Sequence, residues 1–260
     1  MKIATYNING VRVRLPRIID WIKQSKPDVA LLQEIKCEDD KFPENDFSDL
    51  GYNVAIHGQK GYNGVAILSK YPLDDVIKGL PGDDSDTQSR WIEAVIQGSN
   101  KIVRVCCLYL PNGNPVPGEK FDYKLAWMTR LQKRAAKLLE FEEPLILAGD
   151  YNVIPHIEDA KNPEKWIDDA LFRLETRTEW RKLVNLGFQD AFRLMNNQEG
   201  QFTFWDFQGN AWNKNDGIRI DHLLLSPQCA DLLLDCKIDR EVRGWEKPSD
   251  HVPIWVKLDC

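Results

Sequence analysis

The feature that most constrains this chain is a repeated one: short apolar, β-branched runs, too brief for buried helices, break off at an amide or a carboxylate. Runs 2–7, 29–33, 52–57, 65–69, 91–97, 102–110, 145–148, 218–225 and 252–258 have the length and the Val/Ile/Tyr/Trp content of strands. Amphipathic stretches lie between them. Leu15, Ile18, Ile19 and Ile22 recur at helical spacing with Pro16 near the start, and Leu125, Met128, Leu131, Ala135, Leu138 and Leu139 form a longer stripe. Thr176 and Glu179 have capping-box spacing ahead of Trp180 and Leu183, with Gly187 beyond the last turn, and Ser226-Pro227 opens another helix. Gly58-Gln59-Lys60-Gly61 between two runs predicts antiparallel pairing. So many strands with flanking helices predict an α/β fold of two mixed sheets packed face to face, helices outside. No linker or repeat divides the sequence, so residues 1–260 are read as a single domain.

Composition narrows the function classes. Lys2 is followed directly by strand-like Ile3-Ala4-Thr5-Tyr6, with no leader pattern, and no apolar run approaches the roughly 20 residues of a membrane span. The expectation is a soluble cytoplasmic protein with no membrane partner. Six cysteines, none in a Cys-x-x-Cys pair or near a His at zinc spacing, fit a reducing compartment, and Cys106 and Cys107 belong to a core strand. A net charge of −6 argues against nonspecific coating of nucleic acid, which runs on phosphate neutralisation. It leaves room for a nuclease whose acids hold a metal while a basic rim faces the phosphates.

The ends of the runs carry the chemistry. Run 2–7 stops at Asn7, 29–33 at Gln33-Glu34, 102–110 at Pro111-Asn112, and 145–148 at Gly149-Asp150-Tyr151-Asn152; Asp221 lies inside 218–225, and Asp250-His251 precedes 252–258. One such carboxylate is an ordinary turn former. If the ends converge, several acids share one crevice and repel one another unless a cation or a shared proton compensates. A set of Asp, Glu and Asn with a single His suits a hard divalent ion, Mg2+ with Mn2+ able to substitute, and needs no nucleotide cofactor. Such a site fits phosphoryl chemistry, with a carboxylate to deprotonate water and a His, oriented by an Asp, to meet the phosphate oxygens.

Asn7 in Tyr-Asn-Ile-Asn-Gly, Gln33-Glu34, Gly58-Gln59-Lys60-Gly61, Tyr109-Leu110-Pro111-Asn112, Gly149-Asp150-Tyr151-Asn152, Arg219-Ile220-Asp221 and Pro248-Ser249-Asp250-His251 occur in one order along the chain. In this order they resemble the exonuclease III family of abasic-site endonucleases, within the endonuclease/exonuclease/phosphatase superfamily. That resemblance implies a DNase I-like, four-layered α/β sandwich. It implies Glu34, Asn7 and Asp250 around the metal; Asp150 activating or positioning the attacking water, favoured over His251 as the base; Asn152 on the phosphate and Tyr109 on it or on the leaving group; and His251 on the scissile phosphate, paired with Asp221. Phe204, Ile218 and Ile220 would line an apolar slot for a flipped, base-free sugar. Asn112, Arg90, Lys60, Arg12, Arg14 and Lys36 would contact the DNA backbone.

Two departures and one exclusion complete the reading. His156, just past Asp150, is bulky enough to hinder the slot. The loop 208–212 offers Trp212 either to wedge into the duplex or to pack locally. Lys124, Lys133, Arg134 and Lys137 read as the outer face of their helix. The expected activity is monomeric, metal-dependent hydrolysis 5′ to abasic sites in double-stranded DNA, with 3′ to 5′ exonuclease action and removal of 3′ blocking groups. The alternatives are a 3′ end-processing enzyme with little abasic incision, a phosphatase of small or lipid phosphates, and a silent lesion-binding module.

Overall fold

The computed structural model describes residues 1–98 and 101–260. Two six-stranded mixed sheets face one another across an apolar interior. The strands are β1 (Lys2–Asn7), β2 (Val29–Gln33), β3 (Asn53–His57), β4 (Val65–Ser69), β5 (Leu73–Lys78), β6 (Trp91–Gln97), β7 (Ile102–Tyr109), β8 (Leu145–Asp150), β9 (Gln189–Asp190), β10 (Asp221–Leu225), β11 (Leu233–Ile238) and β12 (Ile254–Leu258). The first sheet has the order β11-β12-β1-β2-β4-β3 and the second β5-β6-β7-β8-β10-β9. Ile3, Leu31 and Ile67 of one inner face meet Val105, Cys107, Ile146 and Leu223 of the other, the alternation expected of strands buried on both sides.

Helices cover the outer faces. α1 (Val11–Ser25) packs Ile18, Trp21 and Ile22 on the first sheet. α3 (Glu119–Leu139) and α4 (Leu174–Val184) cover the second through Trp127, Leu131, Leu138 and Trp180. The short α2 (Glu44–Ser48), α5 (Ala191–Met195), α6 (Ala211–Lys214) and α7 (Pro227–Ala230) fill the connections. Among the described residues no helix is long and apolar enough to cross a membrane.

Several local expectations change. β5, β9 and β11 are not runs in the sequence: β5 reads Leu-Asp-Asp-Val-Ile-Lys and is mostly exposed, β9 has only two residues, and all three lie at sheet edges, where so little is buried that no apolar run is needed. Ile218 is not in β10; it forms isolated bridges to Ala160 and Phe204. Thr176 is no cap. α4 starts at Leu174, and the Thr176 hydroxyl, buried inside the helix, donates to the Ala170 carbonyl at 2.6 Å. Ser226 does cap α7, accepting from the Cys229 amide. Cys106 and Cys107 are both buried.

What positions the site is the pairing at the middle of each sheet. β1 and β2 run parallel in one sheet, and β7 and β8 run parallel in the other. Asn7 and Gln33 therefore end level, as do Tyr109 and Asp150, which pair in register. β10 runs antiparallel to β8 with Asp221 opposite Asp150, and β12 runs antiparallel to β1, so the residues entering these strands arrive at the same end. The polar stops of the sequence become one rim.

Candidate active site

Glu34, directly after β2, and Asn152, two residues past Asp150, both have left-handed backbones, with φ of 53° and 47°. Non-glycine residues in that region cost about 1–3 kcal/mol each and collect at functional sites. Gly149 allows the approach of β7 and β8 just before Asp150: a Cβ there would lie 1.8 Å from the Leu108 carbonyl oxygen. Asn7 bridges the sheets. Its Nδ2 donates to Glu34 Oε1 at 2.9 Å and to Asp150 Oδ2 at 2.9 Å, while its Oδ1 accepts from the Asn9 amide. Asn7 therefore stands at the centre as a donor to both acids.

Glu34, Asp150 and His251 each offer a ligand atom within 4.8 Å of one another. Asp250 stands outside this group, because its Oδ1 accepts from Asn9 Nδ2 at 3.0 Å and Ser249 Oγ at 3.2 Å. Lys36 reaches Glu34 Oε2 at 2.8 Å and Asn9 at 2.6 Å, so it is tied to the carboxylate cluster as well as lining a small cleft with Arg12 and Lys60. Asp221 is fully buried, and its Oδ1 has no hydrogen-bond partner. This oxygen-rich, under-satisfied set fits a hard divalent cation.

His251 Nδ1 lies 2.8 Å from Asp221 Oδ2, and its Nε2 lies 3.7 Å from Asp150 Oδ2. Burial alone would lower the imidazole, but Asp221, Asp150 and Asp250 outweigh it and hold the ring up at about 10, so it is an imidazolium at neutral pH. Burial together with Asp221 pushes Asp150 up to about 7, against the pull of His251 and the hydrogen bonds from Asn152 and Asn7. Asp250 goes the other way: despite burial, His251, Asn9 and Ser249 hold it low. Burial, Glu34 and Asp150 keep the Tyr109 phenol protonated.

The phosphate-side residues form a second arc. Asn112 Nδ2 donates to Asn152 Oδ1 at 3.1 Å, and Asn152 Nδ2 donates to the Leu110 carbonyl. Arg90 bonds the Tyr109 carbonyl and lies 4.8 Å over the Tyr109 ring, so it is first of all a brace for that tyrosine. Phe204, half-buried, packs edge-on against His251 at 4.9 Å.

The structure also places the slot residues, the loop tryptophan and His156. Ile218 and Ile220 are each 2% exposed, packed with Ile154, Ala160, Leu171 and Phe172, so they wall a filled cluster and offer no open slot. Trp212 is held locally, edge-on to Trp205 at 4.9 Å and under Arg240 at 4.6 Å; the exposed aromatic of that loop is Phe207, 52% exposed. His156 is exposed at the start of the 157–159 turn, its amide held by Asp159. On α3, Lys133 and Lys137 do face solvent, but Arg134 pairs with the buried Glu93, and Lys124 is wholly buried beneath the Asn112 and Asn152 loops. The spacing contained this signal: Phe121, Lys124, Met128, Leu131, Ala135 and Leu138 form one alternating three-and-four stripe. Sequence reading also missed His222, whose Nδ1 accepts from Arg219 and whose Nε2 donates to the Val153 carbonyl, bracing the loop after Asn152.

Residues 4–251 match the model of the endonuclease/exonuclease/phosphatase family. The chain belongs to that family. Among proteins of the family it is 35% identical to the exodeoxyribonuclease III of Haemophilus influenzae, over 99% of this chain and 100% of the relative, and 32% identical to the zebrafish DNA repair nuclease APEX1, over 99% and 82%. Among solved structures it matches an AP endonuclease from Archaeoglobus fulgidus with a TM-score of 0.95 at 38% identity, and a 3′ phosphatase from Neisseria bound to product DNA hairpin with a TM-score of 0.95 at 35%; both matches cover 100% of each chain. The two-sheet sandwich is thus the family fold, and the chain is a nuclease-type hydrolase.

Proposed function

We propose that this enzyme is a divalent-metal-dependent DNA repair nuclease that hydrolyses the phosphodiester 5′ to abasic sites in duplex DNA, with 3′ to 5′ exonuclease and 3′ end-cleaning activity from the same centre. The observation that carries the proposal is the facing pair of His251, charged and backed by Asp221, and Asp150, set 3.7 Å apart at the seam of two sheets. Its relatives and structural neighbours, named as exodeoxyribonucleases, AP endonucleases and a 3′ phosphatase, support the substrate class.

Glu34 and Asp150 would hold Mg2+, or Mn2+ in its place, with Asn7 orienting both carboxylates. When bound, the ion neutralises phosphate charge and favours departure of the 3′ oxygen. Asp150, a carboxylate whenever the ion is held, takes the proton of the attacking water. The His251 imidazolium donates from Nε2 to a non-bridging phosphate oxygen, and Asp221 fixes its tautomer by accepting at Nδ1. Asn152 and Asn112 present amides to the phosphate, and the protonated Tyr109 phenol donates beside them. Arg12, Arg14 and Lys60 contact the backbone on either side. The enzyme acts as a monomer in the cytoplasm.

The burial of Ile218 and Ile220 favours a second reading, a 3′ end-processing enzyme with little abasic incision, because an unfilled apolar slot is what a flipped sugar needs. One assay separates them. Duplexes carrying either an internal tetrahydrofuran or a 3′-phosphate at a nick are incubated with and without chelator, using the parent and Asp150→Asn. Metal-dependent cutting of both, lost in the variant, supports the first reading. Turnover of the 3′-phosphate alone supports the second, and cleavage that survives chelation or Asp150→Asn refutes both.

A further inference from the structure

Lys124 is wholly buried, and among the described residues its Nζ has no ion-pair partner. Its Nζ donates to two backbone carbonyls, Asn112 at 3.0 Å and Asn152 at 2.6 Å, and Asp169 and Asp150 act on it only through space. Those carbonyls belong to the two residues whose side-chain amides meet each other at the rim, Asn112 following β7 and Asn152 following β8. The backbone makes room for it. Gly113 has φ of +92°, and a Cβ there would lie 2.6 Å from Lys124 Cδ.

A methionine or leucine would continue the stripe of α3 at this position without the cost of desolvating a charge. Burial pulls the ammonium down to about 7, the mark of a site where packing alone would prefer an apolar side chain. The charge sits directly behind the amide pair. The two hydrogen bonds of Lys124 hold the Asn112 and Asn152 carbonyls, and with them the two loops, in one relative position.

We infer that Lys124 is a positioning residue for the scissile phosphate, clamping the Asn112 and Asn152 loops from beneath through its two hydrogen bonds. This rests on the reading of the rim as a phosphodiester-cleaving site. Lys124→Met retains the stem and removes the charge; Lys124→Arg retains the charge and the donors. With the full chain and a nicked 3′-phosphate or tetrahydrofuran duplex, Lys124→Met should lower kcat about 100-fold, as a displacement near 1 Å does, and leave KM within about threefold. Lys124→Arg should recover at least about tenfold of that loss. A Met variant within about twofold of the parent overturns the inference, and so does an equal loss in both variants or a loss carried by KM.

If Lys124→Met does not fold, the parent labelled with 15N-lysine decides, with Lys124→Arg assigning the signal. The Nζ resonance should shift when a substrate duplex ending in 3′-phosphate binds in chelator, which blocks turnover, and an unmoved resonance overturns the inference. A parent inactive on both duplexes would instead sink the nuclease reading itself.

Discussion

His251 and Asp221 are joined by a 2.8 Å hydrogen bond from Nδ1 to Oδ2, across 30 residues of chain, and that contact turns the other ring nitrogen toward Asp150. With the Asp221 charge removed, the imidazole loses the largest influence holding it protonated. Asp221→Asn should therefore lower kcat by about 10²–10⁴, and the His251 ring should titrate several pH units lower by NMR. A variant turning over within tenfold of the parent would show that the pair does not serve the chemistry.

Metal affinity should depend on pH in a defined direction. In the ion-free site Asp150 is raised to about 7, so below that pH a proton must leave before its oxygen can serve a cation. Mn2+ affinity measured by calorimetry should rise by about tenfold per pH unit from pH 5.5 to 7 and flatten above it. Glu34→Gln should weaken it at every pH. Affinity that stays level across this range contradicts the placement of the ion beside Asp150.

Much of this rim was legible beforehand because its residues sit where strands stop. A parallel pair must end level, and a strand end is marked in sequence by the switch from apolar to polar. Asn7, Glu34 and Asp150 carry that mark, and His251 carries it at a strand's start; Tyr109 and Asp221 lie inside apolar runs and stand out only through the family resemblance. Lys124 and His222 do not: each lies within an element and acts through a neighbour's backbone, and a lone cation in an apolar stripe looks like a solvated one until the loops above it are seen. Ile218, Ile220 and Trp212 show the opposite limit. Composition identified them as apolar and aromatic, but whether they face a ligand or each other depends on Leu171, Phe172 and Arg240, which come from other parts of the chain.

Phe204 is the apolar residue near the rim that keeps exposed surface, against the His251 ring. Phe204→Ala should reduce incision at tetrahydrofuran at least about tenfold more than it reduces 3′-phosphate release, since only the former requires a flipped sugar to be held. Ile220→Ala, by contrast, removes a core contact and should cost about 2–5 kcal/mol in denaturant unfolding. Equal effects of Phe204→Ala on the two substrates would remove it from lesion recognition.

Acid should weaken the fold through His222. Burial, and then the Arg219 charge, depress its imidazole to about 4 from an ordinary 6.5. Between those values the unfolded chain binds a proton that the folded chain refuses, so the stabilisation is complete above about pH 6.5 and is lost as pH falls toward 4, by about 3 kcal/mol in all. His222→Gln should unfold more easily at pH 7 yet show a shallower decline on acidification. An unchanged slope in urea titrations at pH 7, 6, 5 and 4 would assign the acid sensitivity elsewhere.

The centre draws Asn7 and Glu34 from one sheet and Tyr109, Asp150 and Asp221 from the other, with an apolar layer that includes Ile3, Leu31, Cys107 and Ile146 as the spacer between them. Catalysis is thus a gauge of how the halves of the molecule are stacked. A substitution deep in that interior, far from any phosphate, can silence the enzyme by letting one layer slide a fraction of an ångström over the other, long before either layer comes apart.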